Sequence, residues 1–384
     1  MRILFSTNPL AGHFYPLVPL AWAARSLGHE VVVSTSDSFV PAVLRSGLPA
    51  ISVGPAGGVA DMAAAGVADR RKVHGRTFAR IALRNFAGVE SLVRTWEPDL
   101  VVSERAEFTG PVVAAAHGVP HVEFHWGVPE LPEYRAAGAA ALAGHLATAG
   151  LAGLPEAPLT IDPWPPSLRL PHAAWHQGLR YVPYDGDARV PHWALAPRSR
   201  SRVCLTLGTV VPHLGEGAVT EVVLPVLHRL AALDVELVLA IEDEVVAGWP
   251  ELPSAVRHAG RLPLSHVLAG SDLIVNHGGQ GTTLAALHAG VPQLVLPQYD
   301  DHFDNADAVV RAEAGIRLLP EEITPDRVAE HCADLLGDRV HRDAARAVAA
   351  EIAAQPSAAD VVGLLAGHVA AHRRRPGLRP ALAA

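Results

Sequence analysis

The sequence predicts an α/β protein with two doubly wound parallel sheets that face each other across a cleft. Three observations support this fold class. Short apolar runs alternate with amphipathic stretches along both halves of the 384-residue chain. A proline-rich stretch around 153–198 separates the halves, and the alternation restarts after it with "SRVCLTLGTV". Continuous apolar strands that alternate with helices are typical of parallel sheets covered on both faces.

In the first half, the strands and helices follow each other in regular order. The predicted strands are "RILFS", "EVVVSTS", "LPAISV", "LVVSE" and "PHVEFHW". The predicted helices lie between them, near 16–28, 37–46, 72–96 and 109–117. The segments 54–70 and 127–160 are less regular, and long connections of this kind usually carry function or are mobile.

The second half begins after a stretch that cannot form a long helix. "LPEAPLTIDPWPPSLRLPHAAW" is too rich in proline, and we place the linker near 185–200. The strands that follow are "SRVCLTLGTV", "VELVLAIE", "VRHAG", "DLIVNHGG", "PQLVLPQ" and "IRLLP". This organisation gives one domain over 1–190, a second over 191–372 and a disordered tail over 373–384.

The composition excludes several classes of protein. The formal net charge of −8 argues against a nucleic-acid partner, which requires a basic face. No apolar run approaches the roughly 18 residues of a membrane span, and the N-terminus lacks the pattern of a signal peptide. The two cysteines, Cys204 and Cys332, cannot form a cysteine-based metal site and fit a reducing compartment. We therefore expect a cytoplasmic protein.

The most informative motif is a glycine-rich turn between a strand and a helix. The strand "DLIV" runs into "NHGGQGTT", residues 276–283, and the helix after it ends at Gly290. Small residues let the backbone approach an oxyanion closely, and the free N–H groups of a helix start attract negative charge. His277 and Thr282 can add side-chain donors. The turn therefore predicts a phosphate site.

These residues resemble a known family. "HGGQGT", "AGVPQLVLPQ" and "DDHFDNA" are similar, in this order, to the donor-binding signature of inverting, nucleotide-sugar-dependent glycosyltransferases with two Rossmann-like domains (the GT-B architecture). The nearest likeness is to actinomycete enzymes that attach deoxysugars to antibiotics and other natural products. "GHFYPLVPLAWAARSLGH" and "LTLGT" resemble two further signatures of that family. Neither half carries a G-x-G-x-x-G with an acidic ribose partner, which argues against a nicotinamide dehydrogenase.

The resemblance implies a metal-independent, inverting hexosyltransferase. Its donor would be a thymidine diphosphate (TDP) deoxyhexose, bound by the domain over 191–372. Its acceptor would be a hydrophobic natural product such as a polyketide aglycone, bound by the domain over 1–190. The nucleotide sugar is a co-substrate, and no cofactor is expected. A homodimer or a helper protein remains open as a further partner.

A histidine at the end of the first strand is the expected catalytic base. His13 stands where a dinucleotide-binding turn would have a glycine, at the crevice that an open sheet presents to ligands. Histidine titrates near neutral pH and can take the proton of an acceptor hydroxyl. In the resembling family, an aspartate orients this base. The matching residue here is Glu104, a departure by one methylene, with Glu107 as the fallback.

On the acceptor side, we expect Phe14, His125 and Trp126 to line the pocket, although plain packing is an equal alternative for His125. His121 and His125 flank Glu123 in "HVEFH". On a strand, residues four apart are roughly 13 Å distant, so one metal ion cannot bridge this pair. No D-x-D motif stands in a suitable context, and we expect no metal.

The donor side of the resemblance is carried over residue by residue. Arg261 departs from the aromatic residue that the family often presents to the base, and His302 replaces a glutamine that with Asp301 would read the sugar hydroxyls. The alternatives without a binding role are that Arg261 is simply exposed and that Asp301 and His302 belong to a run of surface charges. The expected donor-binding residues are Gly208, Thr209, Arg261, Leu262, His277, Gly278, Gly279, Gly281, Thr282, Asp301 and His302.

Two other functions remain open at this point. A nucleotide-sugar epimerase on the same architecture would act on the donor alone and would need no apolar acceptor pocket. The apolar stretch 127–155 favours transfer instead. A non-catalytic partner subunit is the second alternative, and the intact His13 and "HGGQGT" argue against it.

Overall fold

The computed structural model describes residues 1–55, 70–208, 216–298 and 300–374. Two parallel sheets form the framework, one in each half, and they confirm the predicted α/β class with two doubly wound units. The irregular segment expected at 54–70 and the tail expected at 373–384 lie almost wholly outside the described residues.

The first sheet has seven strands in the order β3-β2-β1-β4-β5-β6-β7, and its strand pairs are parallel. The strands are β1 (Arg2–Ser6), β2 (Glu30–Ser36), β3 (Ala50–Gly54), β4 (Leu100–Glu104), β5 (His121–Phe124), β6 (Thr160–Asp162) and β7 (Gln177–Gly178). Phe5 of β1 pairs with Val33 of β2 on one side and Val102 of β4 on the other. The strand order reverses at β1, which is where an open sheet forms its ligand crevice.

Helices cover both faces of this sheet. They are α1 (Ala11–Phe14), α2 (Val18–Ser26), α3 (Val40–Arg45), α4 (Arg70–Trp96), α5 (Thr109–His117), α6 (Pro132–Ala141) and α7 (Ala143–Thr148). Along β1, Ile3 and Phe5 enter the core cluster that contains Leu20 of α2, whereas Leu4 enters the cluster that contains Phe78 of α4. Because side chains alternate along a strand, β1 contributes to a separate core on each face.

The second sheet has six strands in the order β10-β9-β8-β11-β12-β13, again in parallel pairs. The strands are β8 (Arg202–Thr206), β9 (Glu236–Ala240), β10 (Val256–Gly260), β11 (Leu273–Asn276), β12 (Gln293–Val295) and β13 (Gly315–Arg317). The helices of the second half of the chain are α8 (Glu216–Ala231), α9 (Asp243–Val246), α10 (Leu264–Leu268), α11 (Gln280–His288), α12 (Asp301–Arg311), α13 (Pro325–Gly337), α14 (Arg339–Ala354) and α15 (Ala358–Arg373).

The last helix packs on the first half of the chain. Ser357 caps α15 by accepting a hydrogen bond from the Asp360 N–H at 3.2 Å. Val361 and Leu365 of α15 then lie in the same buried cluster as Leu20 of α2. The chain thus crosses back to the first sheet at its end. The boundaries at 190/191 and 372/373 stay predictions.

Most predicted strands and helices appear where the sequence placed them, and the differences concern short elements. The stretch 127–160, expected to be irregular, contains α6 and α7. Two strands in the proline-rich stretch, β6 and β7, were not expected; they have only three and two residues. Runs this short show no periodicity that distinguishes a strand from a loop.

Among the described residues, no single helix is long and apolar enough to cross a membrane. The bent pair of α14 and α15 passes the same test of length and composition only when the two helices are taken together.

Candidate active site

A cavity of about 820 Å³ lies between the two sheets and is lined by both halves of the chain. Its lining includes most of the residues that the sequence singled out: His13, Trp126, Gly208, Arg261, Leu262, His277, Gly279, Gly281, Thr282, Asp301 and His302. Glu104 and Gly278 lie directly behind this lining, as described below. Thr209 lies outside the described residues.

The His13 imidazole is hydrogen-bonded to Glu104 behind it. His13 belongs to α1, just after β1, and Glu104 is the last residue of β4, the neighbour of β1 in the sheet. His13 Nδ1 lies 2.9 Å from Glu104 Oε1, and the Glu104 side chain is fully buried. A carboxylate on Nδ1 keeps the proton there and leaves Nε2 as the basic nitrogen.

Glu104 is held by donors on four residues, and Asn8 contributes two of them, since its backbone N–H also lies 3.4 Å from Oε1. Besides His13, Asn8 Nδ2 donates to Oε1 at 2.7 Å, while the Trp126 indole Nε1 and the Ala106 backbone N donate to Oε2 at 2.7 and 2.8 Å. Burial alone would raise the pKa of Glu104, but the hydrogen bonds from His13, Trp126 and Ala106 lower it below its usual value. The carboxylate therefore stays ionised and fixed in orientation.

The fallback carboxylate has a different environment. Glu107 accepts hydrogen bonds from the backbone N–H groups of Thr109 and Gly110, both at 2.8 Å, at the start of α5. Burial raises its pKa. Glu107 thus serves the helix start, and Glu104 is the carboxylate that contacts His13.

Two of the three residues expected on the acceptor side lie elsewhere. Trp126 lines the cavity, and its ring lies 4.7 Å from the His13 ring, centroid to centroid. Phe14 is fully buried in the core beside Phe39. Successive helical residues point about 100° apart, so the turn that directs His13 into the cavity directs Phe14 into the core.

His125 is also buried away from the cavity lining. Arg105 Nη1 lies 3.2 Å from its Nε2, and its ring packs against His176 at 4.7 Å between centroids. It follows β5 directly, where neighbouring side chains point to opposite sides, so His125 faces away when Trp126 faces the cavity. Of the two alternatives that the sequence left open for His125, packing is the correct one.

His125 belongs to a small cluster that could in principle hold a metal ion. The possible ligand atoms of His125, Asp162 and His176 lie within 4.8 Å of one another. Asp162, however, already accepts from His176 Nδ1 at 2.9 Å and lies 3.7 Å from Arg169 Nε. Arg169 beside Asp162 and Arg105 beside His125 already place positive charge at this cluster, and His125 Nδ1 is buried without a hydrogen-bond partner among the described residues.

On the donor side, the turn after β11 packs glycines tightly around an imidazole. A Cβ on Gly208 would lie 2.5 Å from Cε1 of His277, and a Cβ on Gly279 would lie 2.4 Å from its Nε2. Gly278 has φ of +87°, and a Cβ there would lie 2.8 Å from the His302 backbone oxygen. Only glycine fits these positions, so the glycine pattern follows from close packing as well as from the turn.

The helix after this turn begins at the cavity. Gly281 and Thr282 in the first turn of α11 line the cavity, and nothing lies within 4 Å of where a Gly281 Cβ would be. The first N–H groups of a helix have no partner within it and attract anions. At the other end, Gly290 has φ of +66°, as expected for a helix-ending glycine.

The two histidines of the donor side are uncharged at neutral pH. Burial lowers the pKa of His277 to about 4. Burial also lowers the pKa of His302 well below its usual value, and the nearby His277 adds to this effect. Their rings meet edge to face, 4.8 Å apart. They can therefore act as neutral donors or acceptors but contribute no positive charge.

The predicted sugar-reading aspartate has an unusual protonation equilibrium. Asp301 begins α12, and Asn305 Nδ2 donates to its Oδ2 at 2.9 Å. Burial raises the pKa of Asp301 to about 6, against the lowering effect of this hydrogen bond. The nucleobase side is more open. There Arg261 Nη2 pairs with Asp187 at 2.6 Å beside Leu262.

The sequence analysis missed a polar contact between the halves. Asp300 of the second half accepts hydrogen bonds from Tyr134 Oη at 2.5 Å and from His74 Nδ1, both in the first half. Burial raises the pKa of Asp300, but the hydrogen bonds of His74 and Tyr134 bring it below its usual value. All three line the cavity. Asp300 begins the quoted "DDHFDNA", but no motif marks His74 or Tyr134, because α4 and α6 bring these two side chains to Asp300 only in the fold.

Two family models match the chain, one in each half. The family model for the N-terminal domain of erythromycin biosynthesis protein CIII-like proteins matches residues 70–208, and the model for their C-terminal domain matches residues 224–367. Over 377 residues, the chain is 38% identical to an L-demethylnoviosyl transferase of Streptomyces niveus. The matched region covers 95% of this chain and 98% of that relative.

Solved structures agree with these matches. Glycosyltransferase SsfS6 of Streptomyces sp. SF2575, complexed with thymidine diphosphate, is 35% identical with a TM-score of 0.82, covering 96% of this chain and 99% of that one. The spinosyn rhamnosyltransferase SpnG, complexed with spinosyn aglycone, is 29% identical with a TM-score of 0.85, covering 95% of this chain and 100% of that one.

Proposed function

Because the chain belongs to the erythromycin biosynthesis protein CIII-like family and is a glycosyltransferase, we propose that it transfers a deoxysugar from a TDP donor to a hydroxyl group of a hydrophobic natural product such as a polyketide aglycone. The thymidine diphosphate bound to SsfS6 supports the choice of donor. The aglycone bound to SpnG supports the choice of acceptor.

One observation carries the proposal. The buried His13–Glu104 pair of the first half and the first turn of α11 in the second half line or adjoin the same cavity. A base on one side and an anion-binding helix start on the other are the two groups that glycosyl transfer requires. The acceptor needs its proton removed, and the leaving diphosphate needs its charge stabilised.

The proposed reaction is one displacement with inversion at the anomeric carbon. His13 Nε2 takes the proton of the acceptor hydroxyl as its oxygen attacks that carbon. The new carbon–oxygen bond forms while the bond to the diphosphate oxygen breaks, and the electron pair leaves with the diphosphate. Glu104 stabilises the imidazolium that forms and holds its orientation.

The leaving group is stabilised by main-chain groups in this proposal. The N–H groups at Gly279, Gly281 and Thr282 face the diphosphate, with the helix dipole behind them. His277 adds a neutral donor, because its pKa of about 4 keeps it uncharged. No metal or other cofactor is required by this arrangement, and metal independence is part of the proposal.

The epimerase alternative is not favoured. The relatives reported above are transferases. A partner subunit without activity would not need a base whose carboxylate is held by three further residues. The cytoplasmic location and a homodimer or helper protein stay predictions.

The experiment is a transfer assay with a panel of TDP-6-deoxyhexoses and polyketide aglycones, read by mass spectrometry of the glycosylated product. We expect at least one pair to give product in the presence of wild-type protein and not with His13→Ala. In parallel, the shift in the melting temperature of the protein is measured with TDP and with uridine diphosphate. No product from any pair, together with no stabilisation by TDP, would contradict the proposal.

A further inference from the structure

Gln280 is a cavity-lining residue to which the donor motif assigns no role. It is the first residue of α11, it is 7% exposed, and it reaches across to the first half of the chain. Its Oε1 accepts a hydrogen bond from the Trp164 indole Nε1 at 2.9 Å and another from the Gly127 backbone N–H.

These two partners fix the orientation of the Gln280 amide. An indole N–H and a backbone N–H can only donate, so the atom that faces them must be the amide oxygen. The amide nitrogen then occupies the other position. Within the described part of the chain, Gln280 Nε2 is buried and has no hydrogen-bond partner. A buried donor without an acceptor is costly in the native state, and the residue that carries it lines a cavity.

The contacts of this amide place it close to Asp301. Gln280 Oε1 contacts Gly127, and a Cβ on Gly127 would lie 3.1 Å from the Cβ of Asp301. Gln280 follows Gly279 directly in the chain and therefore, through Gly127, lies close to Asp301, the aspartate predicted to read the sugar.

We propose that Gln280 Nε2 donates a hydrogen bond to an oxygen substituent of the transferred sugar and is a specificity-determining residue of the donor site. The inference rests on the proposed function, since it assumes a nucleotide-sugar donor. The first half takes part in this recognition, because Trp164 and Gly127 hold the amide in the orientation that presents its N–H₂ group.

Two substitutions separate recognition from a purely structural role. Gln280→Glu keeps an oxygen for Trp164 and Gly127 but loses the donor. Gln280→Met removes both functions without adding charge. Calorimetric titration with TDP and with TDP-rhamnose, a 6-deoxyhexose donor, gives the ratio of the two affinities for each protein. Any repulsion between the new carboxylate and the diphosphate affects both ligands and cancels in this ratio.

We expect the ratio of TDP-rhamnose affinity to TDP affinity to fall about five- to tenfold in both variants, the size of one hydrogen bond. Trp164→Phe is the comparison variant: it removes one of the two partners of Oε1 while Gly127 still orients the amide, so the ratio should fall clearly less than in the Gln280 variants. An unchanged ratio in both Gln280 variants, or an equal fall in Trp164→Phe, overturns the inference. Failure of the wild-type protein to bind TDP would instead contradict the proposed function.

Discussion

At the scale of single residues, the site depends on how one buried carboxylate is held. Glu104 is fully buried and receives hydrogen bonds from His13, Asn8, Trp126 and Ala106. All four partners have an N–H directed at the carboxylate, so the ionised form is favoured and the side chain has one orientation. A glutamate is thereby held firmly at a position where the family resemblance leads us to expect an aspartate.

Glu104→Gln should lower kcat on a hydroxyl acceptor by at least about a hundredfold. The neutral amide cannot stabilise the imidazolium, and its N–H₂ group would face groups that only donate. Steady-state kinetics would measure this, with thermal unfolding to confirm that the variant folds. Glu107→Gln is the matched control, since Glu107 is a buried glutamate that bonds to Thr109 and Gly110. Equal losses in the two variants would show that Glu104 has no special role.

Asp301→Ala should lower kcat/KM for the nucleotide-sugar donor by roughly tenfold to a hundredfold, because sugar hydroxyls lose a buried partner worth about 1–3 kcal/mol. The affinity for free TDP should remain nearly the same, because TDP has no sugar hydroxyls to lose. Calorimetry with both ligands measures the two quantities. Equal losses for donor and free diphosphate would mean that Asp301 supports the fold and does not read the sugar.

The raised pKa of Asp301 provides a second check on the same residue. Its carboxyl has a pKa of about 6 because it is buried. Above that pH it is ionised and accepts from hydroxyl groups, whereas below it the group is protonated. Affinity for the sugar donor should therefore decline as the pH falls through about 6, and this step should be missing in Asp301→Ala. A step that persists in the variant would assign the titration to another group.

Single residues could be predicted where a motif fixes their place relative to a strand end. Glu104 was found through the family resemblance, which implies an acidic residue just after the fourth strand. Phe14 was expected in the pocket but is buried in the core, and for His125 the alternative of packing fits its burial. Neither outcome could be decided from the sequence, because the direction of a side chain beside a known site depends on the local turn. Asn8 and Gln280 were missed because their roles come from partners that lie far away in the sequence.

At the scale of elements, the first turn of α11 is expected to supply the positive potential that a metal ion supplies in other phosphate sites. Activity should therefore survive exhaustive treatment with EDTA, because backbone N–H groups and the helix dipole supply the positive potential. The transfer assay before and after chelation measures this, with a metal-dependent transferase treated alongside as a control. Loss of activity that Mg²⁺ or Mn²⁺ restores would contradict this view of the donor site.

The last helix should contribute to the stability of the first half. Leu365 of α15 is fully buried in the cluster that contains Leu20 and Phe5, whereas its neighbour Leu364 is 38% exposed. Leu365→Ala should lower the free energy of unfolding by about 2–4 kcal/mol, and Leu364→Ala by less than about 1 kcal/mol. Urea denaturation measures both. Similar small effects would mean that α15 is only loosely docked.

The longer elements could be predicted from periodicity, and the shortest could not. Helix α5 has the predicted bounds of 109–117, and its sequence lies between the two apolar strands β4 and β5. Strands β6 and β7 are defined by their pairing with β5 and with each other, which a pattern of two or three residues does not encode. The packing of α15 on α2 could not be predicted from the sequence either, because an apolar helix face does not show which element it packs against.

At the scale of the whole molecule, the two halves divide the chemistry between them. The first half supplies His13 and Glu104, and the second supplies the turn at His277 and the start of α11. Contacts such as Asp300 with Tyr134 and His74 hold the halves together around the cavity. Excluding water from such a cleft would protect the donor from hydrolysis.

This division can be tested with one substitution and two readouts. His13→Ala removes the proposed base without touching the second half. The account predicts that kcat for transfer to a hydroxyl acceptor falls at least about a hundredfold, while calorimetry gives a TDP affinity close to that of the wild type. A variant that keeps near wild-type turnover, or that loses TDP binding, would contradict the assignment of base and donor site to opposite halves.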